Sequence, residues 1–523
     1  MLFLFLLLAV VYAAVDQDEI TDLPGWNGKL SSKHYSGYIE IPSDSPGLAP
    51  ATSMSIHYYY IETTSKSKEE SPLLLWSNGG PGASSMFGLL TEIGPYVLNE
   101  RSLQTPEYHN TSIPTLFPNQ YSWTKFSNIL IFDWPPPTGY SYCNNDANGD
   151  GYSCGDWNDH RMAQIEYSAL EGFLKLFPKL KSNGLFITGE SYAGVYIPVL
   201  GKEIISHNKV EEWNLKGVAI GDACMGTEVM CSYDSLFGPY YDLLFLYGKS
   251  AFSNVIWNAL MKYCGLDALQ YTYNKANNQE KCDNAINKAY KQAGYYYDYS
   301  FYDTCYYENS FRRKLNENDN NYKNHISNMN WRNNHNHRNH NNRDSIDHID
   351  VSGALNDYPC GGGDAQAIYT DSLVVREALH VPLNSNFFSG DNAVGMNYDL
   401  TEKSLIPFFY DIATKSEIRS MVYNGDTDPS INAFAAENWT LAMDLKQEEE
   451  WRTYTTDSCI ATGGAVTSYS GDFKFVTIRG SGHMVPTFKP QVGYIMMESF
   501  IKNKDLPEYN PECTSPPPTP PDY

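Results

Sequence analysis

The sequence predicts an α/β fold: a central, mostly parallel sheet with helices on both faces and an inserted cap subdomain. Three observations carry that expectation. Short apolar runs alternate with helical stretches, the pattern of layered α/β architecture. Two of the runs have no polar face at all. One long segment interrupts the alternation.

In chain order, residues 55–61, 73–77, 128–133, 185–188, 217–220, 421–423 and 473–478 read as strands. Leu73-Leu74-Leu75-Trp76 and Ile129-Leu130-Ile131-Phe132 are apolar on both faces, as central strands covered on both sides require. Residues 161–177 place Ile165, Leu170, Phe173 and Leu174 on one helical face. Residues 196–205 do the same with Ile197, Leu200 and Ile204. The stretch from Cys224 to Cys360 is rich in Tyr and Cys and reads as an insertion over the carboxyl ends of the strands, where open α/β sheets bind ligands. Within it, residues 316–343 are dominated by Asn, a composition that cannot bury a core and predicts disorder. His335, His337 and His340 fall in that tract and are assigned to its composition, not to metal binding. Arg312-Arg313-Lys314 reads equally as a solvated charge cluster or a processing site. The expected organisation is a signal peptide over 1–14, core over 15–223, inserted cap over 224–360, core again over 361–507, and a Pro-rich tail over 508–523.

The chain has 523 residues, of which 42% are apolar and 14% aromatic, enough for a large globular core. A net charge of −24 excludes a basic nucleic-acid-binding surface. Met1 to Ala14 is almost wholly apolar and too short to span a bilayer. It ends in Val11-Tyr12-Ala13, a small-residue pattern suited to signal cleavage. No second long apolar run follows, so no membrane anchor is expected. Ten cysteines fit an oxidising compartment. None lies in a C-x-x-C pair, which disfavours zinc, and no cofactor motif stands out. Cys143 with Cys154, and Cys224 with Cys231, are close enough to form local staples. Asn110-Thr111-Ser112 and Asn438-Trp439-Thr440 are glycosylation sequons. The expected route is the secretory pathway, ending in a lysosome- or vacuole-like compartment or outside the cell.

Three stretches carry the chemistry: Gly189-Glu190-Ser191-Tyr192-Ala193-Gly194, Gly425-Asp426-Thr427-Asp428 and Gly482-His483-Met484-Val485-Pro486. A hydroxyl needs a base in hydrogen-bond reach and a carboxylate to orient that base. The order Ser, Asp, His is that of α/β-hydrolases. The strict G-x-S-x-G pattern occurs at Gly151-Tyr152-Ser153-Cys154-Gly155, but residues 144–150 before it are loop formers. Ser191 has what Ser153 lacks: an apolar run leading in and a helical pattern leading out, with small residues at the turn.

With Leu23-Pro24-Gly25, Tyr35-Ser36-Gly37-Tyr38 and Leu75-Trp76-Ser77-Asn78-Gly79-Gly80-Pro81-Gly82 added, the chain resembles the serine carboxypeptidase family. The resemblance implies Ser191 as nucleophile, His483 as general base and acid, and Asp428 as the orienting carboxylate. It implies the backbone N–H groups of Gly80 and Tyr192 as oxyanion hole. It assigns Asn78, Gly79, Glu190 and Glu92 to capture of the substrate's terminal carboxylate, with Trp76 as buttress; Met484 and Phe87 would line the pocket for the leaving residue. On its residues alone, Glu92 would read as a surface helix residue. The implied activity is removal of C-terminal residues from peptides and proteins at acidic pH, through an acyl-enzyme. The implied substrates carry a free C-terminus; a homodimer is compatible with the family. An acyltransferase on the same scaffold, or a protective binding role beside the enzyme activity, are the alternatives. Two departures stand out. Ala83 replaces a family Cys, so the implied bridge to Cys360 cannot form. Pro429-Ser430-Ile431 differs from the family after Asp428.

Overall fold

The computed structural model describes residues 17–229, 239–270, 275–294, 296–302 and 362–513. The expected signal peptide, the Asn-rich tract, Arg312 to Lys314, Cys231, Cys305, Cys360 and the end of the Pro-rich tail lie outside these residues.

Among the described residues twelve strands join in one sheet. They are β1 (Glu19–Ile20), β2 (His34–Glu40), β3 (Met54–Ile61), β4 (Leu73–Ser77), β5 (Asn128–Phe132), β6 (Tyr142–Cys143), β7 (Leu185–Glu190), β8 (Leu215–Gly221), β9 (Arg419–Gly425), β10 (Gln447–Thr455), β11 (Thr462–Tyr469) and β12 (Phe473–Ile478). The sheet runs β1-β2-β3-β5-β4-β7-β8-β9-β12-β11-β10, with β6 beside β3. Pairing is parallel from β5 through β12 and antiparallel at both flanks. This is the mostly parallel centre that the apolar runs predict, with hairpin-type edges added.

Strand alternation splits the core in two. Leu73, Leu75, Leu130, Phe132 and Ile187 point to one core; Leu74, Trp76, Ile129, Ile131 and Phe186 point to the other. Period-two side-chain direction makes every second residue serve the opposite face. Helix α1 (Asp159–Leu176) fills the first core with Ile165, Leu170 and Phe173, and α2 (Ala193–Ser206) with Ile197, Leu200 and Ile204. The α1 start precedes the predicted one because the Asn158 side chain caps it, accepting from Arg161 N.

The described part of the insertion holds α3 (Tyr240–Gly248), α4 (Asn254–Tyr263), α5 (Leu266–Gln270) and α6 (Gln279–Ala293). They bury a small core of their own around Leu243, Leu246, Leu260 and Ile286. A Cys264–Cys282 disulfide links α4 to α6. Cys143 and Cys154 are bonded to each other. Cys224 is also disulfide-bonded. Residues 508–513 are pinned to the sheet edge: Glu508 bridges Tyr454, Asn510 N donates to Cys459 O at 2.8 Å, and Cys459 is bonded to Cys513. A cross-link that closes so long a loop removes about 4 kcal/mol of unfolded-state freedom in the chain-entropy account. Among the described residues no helix is long and apolar enough to cross a membrane.

Candidate active site

Register brings the candidate residues together. Gly189 pairs with Ser77 on one side and Ile220 on the other. Glu190 pairs with Gly221, Gly221 with Tyr423, and Gly425 with Ile478. Five neighbouring parallel strands therefore end at one level. The chain leaves them as Asn78, Ser191, Asp222, Asp426 to Asp428, and Gly480 to His483.

Ser191 sits between β7 and α2 with φ +62°, a left-handed backbone that a side chain adopts only when its surroundings enforce it. Its N–H donates to Gly221 O at 2.9 Å and its carbonyl accepts from Cys224 N at 3.0 Å. The glycines around it have a steric cause. A Cβ on Gly189 would lie 2.5 Å from Ser77 O, and one on Gly194 would lie 2.3 Å from Cys224 O. Ser153 sits in a turn, its hydroxyl donating to Asp150 O at 2.8 Å.

His483 Nδ1 donates to Asp428 Oδ2 at 2.7 Å, and both side chains are buried. Asp428 Oδ1 accepts from Ser430 N at 2.8 Å and Ile431 N at 3.3 Å. Those amides belong to the segment that departs from the family sequence, and they satisfy the carboxylate. With Nδ1 carrying the proton, Nε2 is the basic nitrogen, and Nε2 has no hydrogen-bond partner here. Tyr299, which the sequence does not single out, accepts from His483 N at 2.8 Å, and the two rings are 5.0 Å apart. Phe301 N donates to Thr427 O at 2.8 Å, and Ser430 Oγ to Asp298 O at 2.6 Å. The end of the inserted region is thus stitched to the loops that carry Asp428 and His483.

Asn78 joins two acids. Its Nδ2 donates to Glu190 Oε1 at 2.9 Å and to Glu92 Oε1 at 3.2 Å. Its Oδ1 accepts from Trp76 Nε1 and from Gly88 N, each at 3.0 Å. With two donors on the oxygen, the amide can only turn its NH₂ towards the acids. Glu92 is buried, on a short helical turn (Leu89–Ile93), not on the surface. Burial pushes Glu92 up to about 7. Burial, then the Glu92 charge, pushes Glu190 well above the ordinary carboxyl range. Oε2 of each acid is buried and meets no donor, and the two carboxyls lie within hydrogen-bonding reach of each other. The pair is therefore built to hold a proton.

Gly79 packs its backbone against the amide of Tyr192: a Cβ there would lie 2.2 Å from Tyr192 N. Gly80 has φ +109°. Tyr192 is anchored from behind, its hydroxyl donating to Asp159 Oδ1 at 2.6 Å. Asp159 also accepts from Tyr398 OH at 3.0 Å, Thr401 N at 2.6 Å and Glu402 N at 2.7 Å. Its place at the helix start gives no sequence sign of this role. Met484 is buried beside His483, and Phe87 is half-buried. Asn110 is exposed near the end of a short helix, while Asn438 is half-buried in helix Ala433–Leu441 beside buried Trp439 and Thr440. Of the two sequons, Asn110 is the more accessible.

A second Ser-His-Asp arrangement lies elsewhere. His57 Nδ1 is 2.8 Å from Asp133 Oδ2, and His57 Nε2 is 2.9 Å from Ser36 Oγ. All three residues are 0% exposed. Ser36 gives its only proton to Leu379 O at 2.6 Å, so the imidazole has no hydroxyl proton to withdraw. Asp133 also accepts from Ser84 Oγ and, at 3.1 Å, from Tyr140 N. The arrangement is a core brace behind the Gly79 to Ser85 loop.

The sequence profile of the serine carboxypeptidase family matches residues 24–503. The serine carboxypeptidase ctsa-4.1 of Caenorhabditis elegans is 30% identical over 94% of this chain and 95% of its own length. The lysosomal protective protein of Mus musculus is likewise 30% identical over 94% of this chain and 95% of its own. The crystal structure of Kex1(delta)p, a prohormone-processing carboxypeptidase from Saccharomyces cerevisiae, superposes with a TM-score of 0.62 at 19% identity, covering 94% of this chain and 96% of that one. That likeness establishes the fold. With the profile spanning most of the chain, this protein belongs to the serine carboxypeptidase family of α/β-hydrolases.

Proposed function

We propose that this protein removes single residues from the C-terminus of peptides and proteins under acidic conditions, using Ser191, His483 and Asp428. The observation that carries the reading is the Asn78 amide bridging Glu190 and Glu92, one residue from Ser191. A hydrolase of internal bonds or simple esters has no use for a proton-holding device at that spot. An enzyme that grips a terminal carboxylate does: a protonated Glu190 donates a hydrogen bond where an ionised one would repel.

Ser191 Oγ attacks the carbonyl of the last peptide bond while His483 Nε2 takes its proton. Asp428 holds the Nδ1–H and stabilises the imidazolium. The oxyanion accepts from the N–H groups of Gly80 and Tyr192. The C–N bond breaks as His483 returns the proton to the leaving nitrogen, and the amino acid departs with its carboxylate held by Asn78, Gly79 and Glu190. Water then attacks the acyl-Ser191 ester, its proton passing to His483 and on to Ser191. Met484 and Phe87 line the leaving residue's pocket, and their apolar surface favours large apolar residues.

Retention of Asn78 and Glu190 supports the peptidase over an acyltransferase. A protective role, like that in the name of the mouse relative, stands as a second reading beside the activity. The disulfides and the raised carboxyl groups support an oxidising, acidic compartment. The test is release of the last residue from a blocked dipeptide and from its C-terminal amide at pH 5. Preferential turnover of the free acid supports the reading; equal turnover overturns it.

A further inference from the structure

Asp222 has no part in the chemistry above, yet it lies inside the site. It follows β8 directly, with φ +43°, and its N–H donates to Tyr423 O at 2.8 Å. The side chain is 0% exposed. Oδ1 accepts from Gly425 N at 2.9 Å and from Asn424 Nδ2 at 3.3 Å. Oδ2 is buried and meets no donor. A carboxylate oxygen of Asp222, one of Asp428 and a ring nitrogen of His483 lie within 4.8 Å of one another.

The hydrogen bonds decide where the charge sits. Two ionised carboxylates this close, both fully buried, repel strongly. Both oxygens of Asp428 already accept, one from His483 Nδ1 and the other from two backbone amides, so Asp428 is the ionised member. Asp222 Oδ2 is the oxygen left for a proton. The groups that face Asp222 are Asp428, Glu190, Tyr423 and His483. Burial, followed by the Asp428 charge, pushes the Asp222 carboxyl well above its ordinary value.

We propose that Asp222 is a positioning residue for the triad, protonated at Oδ2 and donating a hydrogen bond to the Asp428 carboxylate. The inference rests on the reading of Ser191, His483 and Asp428 as the reacting group. The bond fixes the Asp428 carboxylate beside His483. It also draws charge away from the oxygen that faces Nδ1, so the imidazolium is held less tightly. His483 then serves as a neutral base at lower pH, which suits an enzyme that works in acid.

The test uses a fluorophosphonate, which reacts at an activated serine and carries no carboxylate for Glu190 to bind. Its rate of reaction with the full chain is followed from pH 4 to pH 9 for wild type, D222N and D222A. The midpoint of the rise reports His483. An Asn keeps an acceptor for Gly425 N and a neutral donor for Asp428, so D222N shifts the midpoint by no more than about 0.3 pH unit. D222A removes the donor and raises the midpoint by about half a unit or more. If Asp222 is ionised in the wild type, D222N removes a negative charge and lowers the midpoint by about a unit or more, which overturns the proposal. A D222A midpoint equal to wild type overturns it as well. Should D222A not fold, D222N decides alone between an unchanged and a lowered midpoint. Mass spectrometry of the labelled peptide separates the two levels of failure: if Ser191 is not the residue modified in wild type, the reading of the site itself falls.

Discussion

Replacing Glu190 by Gln tests the proton-holding pair directly. The Gln side chain keeps an oxygen to accept from Asn78 Nδ2, as Glu190 Oε1 does at 2.9 Å. Its NH₂ takes the position of Oε2, which is buried and without a partner. A donor is thus present at every pH, with no proton to lose. In the wild type, the donor disappears once Glu190 loses its proton; burial, then the Glu92 charge, raise that carboxyl well above the ordinary range, so the loss comes as pH rises on the alkaline side. A hydrogen bond to a charged group contributes about 1.5–3 kcal/mol, which is roughly a 10- to 150-fold change in kcat/KM. Wild-type kcat/KM on a blocked dipeptide acid should therefore fall by at least about tenfold between pH 5 and pH 8.5. E190Q should change by less than about threefold over that range, from a lower value at pH 5 because an amide is a weaker donor than a carboxylic acid. With the C-terminal amide as substrate, the two enzymes should run in parallel. An E190Q profile with the same alkaline decline as wild type refutes the reasoning.

Other perturbations address the remaining parts. S191A should lower kcat by about a thousandfold or more, measured on the same dipeptide, with folding checked by circular dichroism. G79A should abolish activity, since the new Cβ would lie 2.2 Å from Tyr192 N and 2.8 Å from Tyr192 Cα, backbone atoms that cannot swing aside; a G79A enzyme with near-normal kcat contradicts the packing of these two segments. N78A should raise KM for the acid about tenfold or more while leaving turnover of the amide substrate little changed. Thermal stability should fall as pH rises from about 4.5 towards 7. Glu92, Glu190, Glu166 and Asp242 all have folded-state values raised by burial, so the folded chain keeps protons that the unfolded chain releases in that window. At about 1.4 kcal/mol per pKa unit, the Glu92–Glu190 pair alone carries on the order of 3 kcal/mol; a melting temperature that climbs towards neutrality contradicts this.

The parts of the site that local pattern can encode were legible in the sequence. Ser191 is marked by the strand before it, the helix after it and the small residues between, all within a dozen positions. The strands at 73–77 and 473–478 have the predicted bounds, because the unbroken apolar run of the first and the apolar alternation of the second both end where polar or glycine-containing loops begin. Glu92 is a different case. Its own neighbours resemble a surface helix, and only the family resemblance pairs it with Glu190. The two acids meet each other and Asn78 across the site, and no periodicity links the three positions. Asp222 and Asp159 look like ordinary turn and cap residues, because a short acid after a strand or before a helix satisfies backbone amides in countless folds. Tyr299 was hidden for another reason: it is one of several tyrosines in its stretch, and only the return of the inserted region to the sheet gives it a ring neighbour in His483.

Ser36, His57 and Asp133 carry a lesson for anyone who looks for enzymes by shape. By bond lengths alone this trio is the better match to a reactive serine, since its imidazole is hydrogen-bonded to the hydroxyl while His483 Nε2 has no hydrogen-bond partner. It is nonetheless inert by construction, sealed from solvent and with its hydrogen pointed at a carbonyl. A template search scoring only interatomic spacing would choose Ser36 over Ser191, the serine proposed as nucleophile. The molecule thus contains its own control: a labelling reagent that spares position 36 and marks position 191 would show that what separates a brace from a catalyst is an open approach and an uncommitted hydrogen.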